Sequence, residues 1–419
     1  MKNIRLFALA ICLICLCGCR EQRVSESFNQ EMPTEESPKE QEPVVQEENL
    51  FFFRTPVGAQ TENGFYSMQY HDDWTGFLTY SDYATQQTVP LCNQPNCEHH
   101  AASCTAWFEN PYNIPRLIAN DEKLVYCYLG MRGTYSEPAF LEIANLDGSE
   151  RTTLYTLDAN ETLDEGFCID DDAVYVLTRE TESQNDGTVG TICKVIKINL
   201  YDQTETELWR QKQEGGVSYF LAGSMDGQIV LKEIRVEETS SQNIMEQVHS
   251  QRHTLYLISP QDGAIHEGYS WKQDANLEMA YANELFLVTD SHTLCQLTKE
   301  GDMIQLAESN ILVPGKCSLQ YANENSLWVT STESIEGMPN PGVCLYQIDR
   351  ESGTISELHL EDGVSVDVLA EYQNKLFVRI SASRSQSQEQ SAKYAFWSEN
   401  TMQENAAEPN ILYFKAADF

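Results

Sequence analysis

Apolar positions in this chain fall into short strand-like runs separated by Asp, Asn and Gly, and no stretch sustains a 3.6-residue period, so helices should be minor. Seven runs share one form. They are Gly64-Phe65-Tyr66, Lys123-Leu124-Val125-Tyr126, Ala173-Val174-Tyr175-Val176, Gln228-Ile229-Val230-Leu231, Glu284-Leu285-Phe286-Leu287, Ser326-Leu327-Trp328-Val329 and Lys375-Leu376-Phe377-Val378. Their starting positions are separated by as few as 42 residues (284 to 326) and as many as 59 (64 to 123). Most are introduced by a turn-former: Asn120-Asp121, Asp171-Asp172, Asp226-Gly227, Asn283, Asn323 and Asn374.

Further runs follow inside most repeats. Phe140–Ile143 precedes Leu146-Asp147-Gly148, Lys194–Ile198 precedes Tyr201-Asp202, Leu255–Ile258 precedes Gln261-Asp262-Gly263, and Leu345–Ile348 precedes Arg350–Gly353. A shorter run comes next in several cases: Thr153–Tyr155, Glu207–Trp209, Ile304–Leu306 and Glu357–Leu360. Asp-Gly between alternating runs is a hairpin signal, because the turn needs positive φ. Each repeat therefore reads as a small antiparallel sheet of three or four strands.

One such sheet cannot bury both faces, so the sheets must stack. A period of roughly 40 to 60 residues is that of propeller blades, whereas a β-solenoid repeats at about 20 to 30. Two β-sandwiches are the alternative, and the regular recurrence opposes them. The expected fold is all-β: a single β-propeller over residues 50–419, with about seven blades. Leu50–Phe53 or Ile411–Phe414 is expected to close the ring by pairing with the blade of the other terminus, which removes exposed edges.

The first 49 residues have a different texture. Met1-Lys2-Asn3-Ile4-Arg5 is a short basic stretch, followed by an apolar run from Leu6 to Cys17 that is too short to span a bilayer. It ends in Leu16-Cys17-Gly18-Cys19, which resembles the lipobox of bacterial lipoproteins. That resemblance implies a signal peptide over residues 1–18 and a lipidated Cys19 as the mature N-terminus. It also implies a cell-membrane location outside the cytoplasm, held by acyl chains rather than a spanning helix. An ordinary secretory peptide or an uncleaved anchor is the plainer reading. Residues 20–49 contain nine Glu and three Pro with hardly an aromatic. Such a segment buries too little apolar surface to offset its ordering entropy, so residues 19–49 are expected to form a disordered tether.

The chain has 13 Cys. Cys12, Cys15 and Cys17 leave with the signal, and Cys19 would carry lipid. The nine that remain cannot all pair within the chain. Cys127, Cys168, Cys193, Cys295, Cys317 and Cys344 lie singly in or beside strand-like runs and read as small buried hydrophobes. Cys92-x4-Cys97-x-His99-His100-x3-Cys104 differs, because it falls in a turn-rich stretch between the first two repeats. Three thiolates and an imidazole suit tetrahedral Zn(II), with Cys92, Cys97, His99 and Cys104 as the candidate ligands. A Cys92–Cys97 or Cys97–Cys104 disulfide, or a loop with no such role, stays open. A closed Cys3His sphere would stabilise rather than catalyse.

The repeats look like those of low-density-lipoprotein-receptor-type and TolB-like propellers. More narrowly, lipobox, acidic tether, propeller and the segment Val89–His99 followed by Cys104 resemble a group of lipoproteins from anaerobic Gram-positive (clostridial-type) bacteria. His99 holds the Cys-x-His position of that group. The receptor Tyr-Trp-Thr-Asp motif is only echoed, as in Leu287-Val288-Thr289-Asp290, so the resemblance brings architecture and location but no activity.

Composition narrows the partners. The hydrophobic fraction of 41% supports a packed core, and the net charge of -37 opposes nucleic acid, whose phosphates need a basic surface. No nucleophile elbow, zincin, phosphate-loop or EF-hand signature is present. Asp170-Asp171-Asp172 could hold a cation but reads as a turn, and Trp74, Trp107, Trp271 and Trp397 could stack on sugars but commonly pack between blades. The leading expectation is thus a non-catalytic, surface-anchored module that binds an extracellular glycan, peptide or envelope protein through a face or the central funnel. An extracellular propeller hydrolase or lyase and an envelope-assembly partner are the alternatives.

Overall fold

The computed structural model describes residues 50–52, 58–70, 75–99, 103–108, 115–130, 138–183, 189–237, 250–272, 277–281, 283–333, 342–358, 364–382, 393–398 and 411–416. The lipobox, Cys19 and the tether lie outside them, as do Phe53, Trp74, His100, His359 and Leu360. Every described element is a β-strand. Seven sheets, each with four strands taken consecutively from the chain, form a seven-bladed propeller. Blade 1 comprises Ala59–Thr61, Gly64–Tyr70, Gly76–Asp82 and Gln87–Pro90. Blade 2 comprises Arg116–Ala119, Lys123–Tyr128, Phe140–Asn145 and Thr152–Thr156. Blade 3 comprises Glu161–Ile169, Ala173–Ser183, Val189–Asn199 and Glu205–Lys212. Blades 4 to 7 begin at Val217–Met225, Leu277–Tyr281, Cys317–Ala322 and Val364–Tyr372. First strands of successive blades lie against one another from blade 1 to blade 7, so they face the ring axis.

The seven sequence runs are the second strands of the seven blades, and their starts coincide with the observed strand starts. Both faces of these strands are buried. In blade 3, Val174 and Val176 pack with blade 2, while Tyr175 and Leu177 pack with blade 4. In blade 2, Leu124 and Tyr126 face blade 1, and Val125 and Cys127 face blade 3. Successive side chains of a strand point to opposite faces, so a sheet between two sheets reads as a continuous apolar run. Each of the seven described apolar clusters joins one pair of neighbouring blades, the last being blades 7 and 1. Each fully buried large side chain, such as Trp328 or Phe286, contributes about 1.5–3 kcal/mol relative to exposure.

The turn-formers act between blades as well as within them. Asn120 Oδ1 accepts from the amides of Glu122 (3.0 Å) and Lys123 (2.7 Å), closing the first hairpin of blade 2. Blade 6 repeats this with Asn323, whose Nδ2 donates to Glu371 of blade 7 at 2.6 Å. In blade 4 the Gly227 amide donates to Asn283 Oδ1 of blade 5 at 3.1 Å.

Closure differs from expectation. Ile411–Tyr413 remains the fourth strand of its own blade. The next residues, Lys415–Ala416, pair in parallel with Gln87–Thr88 on the outer edge of blade 1. An aromatic seam does the rest: Phe65 and Tyr83 of blade 1 meet Phe377 of blade 7 at ring distances of 5.6 and 5.0 Å. Leu50–Phe52 does not take part in closure; Phe51–Phe52 pairs with blade 3.

Candidate metal centre and adjoining cleft

Cys92, Cys97, His99 and Cys104 lie on an excursion from blade 1 whose two ends are pinned to one residue. The Leu91 amide donates to the Leu78 carbonyl, and the Leu78 amide donates to the Ala106 carbonyl, both at 2.8 Å. Trp107–Phe108 then pairs with Gly76–Phe77, so the loop begins and ends on the same strand. This brings Cys92 and Cys104 together although twelve positions separate them. Pro95 and Asn96 turn the chain between them: the Cys97 amide donates to the Gln94 carbonyl at 3.4 Å, and Asn96 and His99 adopt φ of 59° and 57°. Gln94 Nε2 donates to the Ser103 carbonyl at 2.8 Å and straps the two arms.

The three Sγ atoms and one imidazole nitrogen lie within 4.8 Å of one another. His99 Nδ1 is 3.4 Å from Cys104 Sγ. A tetrahedral zinc with bonds of about 2.3 Å to sulfur spaces its sulfur ligands about 3.8 Å apart, so small inward movements would bring this set onto the metal. The cysteines are free thiols. Burial pushes the Cys104 thiol up to about 12, opposed by the Ala106 amide and reinforced by the neighbouring sulfurs. Burial acts upward on Cys92 as well, but the Gln94 amide, Thr105 and the adjacent thiols bring it net below its ordinary value. The donor set fits a borderline-soft ion, and four protein donors leave no open position for a substrate.

The other candidates are structural. Asp170 Oδ1 accepts from the amides of Asp172 and Ala173 at 2.9 and 2.7 Å, and Oδ2 accepts from the Tyr175 hydroxyl at 2.5 Å. Trp271 and Trp397 are buried and Trp107 is half-buried against blade 2. Cys127, Cys168, Cys193, Cys295 and Cys317 are buried and Cys344 is half-buried.

Sequence reasoning missed a cleft of about 510 Å³ between blades 1 and 2. Tyr66 and Tyr80 form its aromatic wall, with ring centroids 4.8 Å apart. Glu62, Asp121 and Asp147 come from three hairpin turns, and the described lining residues include no Lys or Arg. Burial raises the Tyr80 phenol to about 12, so it stays neutral. The Tyr66 hydroxyl donates to the Leu146 carbonyl at 2.9 Å, fixing the ring. Cys92 and Asn93 belong to the same lining, so the Cys3His loop forms part of the cleft wall. Leu91 makes that wall close-packed: a Cβ on Gly148, which has φ +76°, would lie 3.1 Å from its side chain. No linear motif marks the cleft, because its residues converge only when two blades stack.

No family model matches the chain, and no curated protein matches it. Solved structures do. Dipeptidyl peptidase 4 of Porphyromonas gingivalis is 9% identical with a TM-score of 0.46, covering 84% of this chain and 58% of that one. Oligopeptidase B of Leishmania major is 9% identical with a TM-score of 0.46, covering 88% and 48%. The WD40 domain of SCAP from fission yeast is 11% identical with a TM-score of 0.40, covering 87% and 90%. This chain spans little more than half of the first peptidase and under half of the second. Identities this low carry no activity across.

Proposed function

We propose that the protein is a lipid-anchored, non-catalytic binding module of the cell envelope, which holds a cationic or neutral segment of an extracellular peptide or glycan in the cleft between blades 1 and 2. The observation that carries this reading is the cleft's make-up: the half-buried Tyr80 ring, backed by the buried Tyr66, and three carboxylates, with no basic group among the described lining residues. The net charge of -37 adds a long-range field that draws cations and repels polyanions. The Cys3His loop, as a zinc site, would stiffen one wall. Membrane attachment through Cys19 and a clostridial-type lipoprotein origin belong to the same proposal, supported by the lipobox and the acidic segment that follows it.

Calorimetric titration of the full-length protein with a Lys-rich peptide, a neutral oligosaccharide and a polyanion tests the reading. Saturable binding of the first or second, weakened at least tenfold by Glu62→Gln with Asp121→Asn for a cationic ligand, is expected. Binding indifferent to those changes overturns the cleft as the site. Bond cleavage in the ligand would favour the extracellular hydrolase or lyase instead.

A further inference from the structure

The first strand of blade 3, Glu161–Ile169, is paired on both edges: with Ala173–Ser183 outward and with Phe51–Phe52 on the axial side. Among the described residues, no other blade has a strand on the axial edge of its first strand. The added pairing is antiparallel, with Phe51 opposite Ile169 and Phe52 opposite Cys168. Leu50 extends the contact. Its carbonyl accepts from Ser224 Oγ of blade 4 at 2.9 Å. Its side chain is 0% exposed and belongs to the cluster of Cys168, Leu177, Val217 and Leu221. Phe51–Phe52 also lies against the first strands of blades 4 and 5.

We infer that the axial edge of blade 3 is a strand-acceptor site, filled by the chain's own Leu50–Phe52, and that this segment runs along the axis away from the face bearing the first hairpin turns. The direction follows from two markers. Ile169 directly precedes the turn at Asp170–Asp172, and Ser224 stands just before the turn at Asp226–Gly227. Leu50 thus sits at the hairpin end of the axis, and an antiparallel partner of Glu161–Ile169 runs away from that end. The first strand of blade 1, Ala59–Thr61, runs back toward its own turn at Glu62–Asn63.

Two consequences follow. An inner edge that would otherwise present unpaired amides and carbonyls is satisfied by a strand whose neighbour, Leu50, is wholly buried, which is how a sheet edge accepts an extended apolar segment. A ligand seeking the axis beside blades 3 to 5 must displace that segment. This does not depend on lipidation or on the cleft.

Hydrogen exchange on the full-length protein tests the inference directly. The Phe51 amide, opposite Ile169, is expected to be protected together with the Ile169 amide, and Ser224→Ala should speed their exchange by roughly fivefold, as the loss of one hydrogen bond implies. Exchange of the Phe51 amide at the rate of an unstructured chain overturns it. Phe52→Cys supplies an independent readout. Opposed residues of an antiparallel pair have Cα atoms about 4.5–5.5 Å apart, within disulfide range. Mild oxidation should link the introduced thiol to Cys168 within one chain. A link between two chains, or both thiols remaining free, rejects filling by the chain's own segment.

Discussion

Asn120 Nδ2 donates to the carbonyls of Asp170 and Asp171 at 3.0 and 3.2 Å, tying the first hairpin of blade 2 to the equivalent hairpin of blade 3. The two turns stand fifty residues apart, one repeat of the sequence. The side chain thus has two roles: its oxygen shapes its own turn and its amide nitrogen reaches the next.

The first prediction separates those roles. Asn120→Ala removes both and leaves the buried Asp170 carbonyl short of a donor, so it should lower stability by about 1–3 kcal/mol. Asn120→Asp keeps the acceptor for the Glu122 and Lys123 amides but sets an anion against the Asp170 and Asp171 carbonyls. It should be no better than alanine. Urea unfolding of the three proteins checks this; a stable Asp variant would show that the local turn, and not the link between blades, matters.

The same pair shows why so much of the fold was legible. Turn-formers before doubly buried strands stand out, since Leu124–Tyr126 or Val174–Leu177 has no polar face to interrupt it. First strands were harder to read. The register of Glu161–Ile169 shifts between Leu163 and Phe167, which breaks the alternation that a strand reading needs. Gly166 in that interval lies so near blade 4 that a Cβ there would sit 2.7 Å from the Leu221 carbonyl oxygen. The partner of Phe51–Phe52 could not be read either, because a two-residue pairing across more than a hundred positions leaves no period. At the candidate site, the Cys and His spacing was visible, whereas the cleft drew on Glu62, Asp121 and Asp147 from separate hairpins.

The second prediction concerns the Cys3His loop. Protein purified under reducing conditions should hold about one zinc per chain, and Cys97→Ser should lose most of it, because three donors bind far more weakly than four. Elemental analysis with thiol counting decides this. Metal-free protein carrying a mapped Cys92–Cys97 or Cys97–Cys104 disulfide would establish the staple instead. Chelation should also lower the thermal midpoint if the loop is ordered by the ion.

The third prediction is acid sensitivity. Asp147, Asp202, Asp262 and Asp349 lie at hairpins joining third and fourth strands, and each is held below its usual 3.8. For Asp147 and Asp202 the hydroxyls of Ser149 and Thr204 act most strongly, followed by the turn amides. For Asp262 it is Ser259 and then the Ala264 amide, and for Asp349 the Ser352 amide and then its hydroxyl. A carboxyl whose folded value is depressed binds its proton more readily in the unfolded chain. Its contribution is therefore complete well above 3.8 and is lost as the pH falls through and below that value. Urea midpoints measured from pH 7 to pH 3 should fall, and fall less steeply when all four are changed to Asn. Parallel curves would count against it.

The fourth prediction addresses the anchor. Cys19→Ala should abolish acyl labelling in a bacterial host that processes lipoproteins and move the protein from membrane to supernatant or leave it unprocessed. Unchanged labelling would place the modification elsewhere.

The fifth prediction tests how the ring holds at its seam. Phe414 is 9% exposed and meets Phe377 and Phe396 at 5.1 and 5.0 Å. Its amide donates to the Tyr394 carbonyl at 2.9 Å, and the next amide, of Lys415, donates to the Gln86 carbonyl of blade 1 at 3.1 Å. One residue thus anchors the strand that crosses the seam. Phe414→Ala leaves a cavity beside the Phe377 and Phe396 rings, in the cluster that also holds Phe65 and Tyr83 across the seam, and should cost about 3–5 kcal/mol. Phe414→Leu fills much of the space and should cost less. Because the crossing strand is only two residues long, the loss should appear as faster hydrogen exchange in blades 7 and 1 together, with blades 3 and 4 little changed. Equal loosening of every blade would mean that the seam is no weaker than the other interfaces, and that closure rests on the whole ring rather than on Phe414.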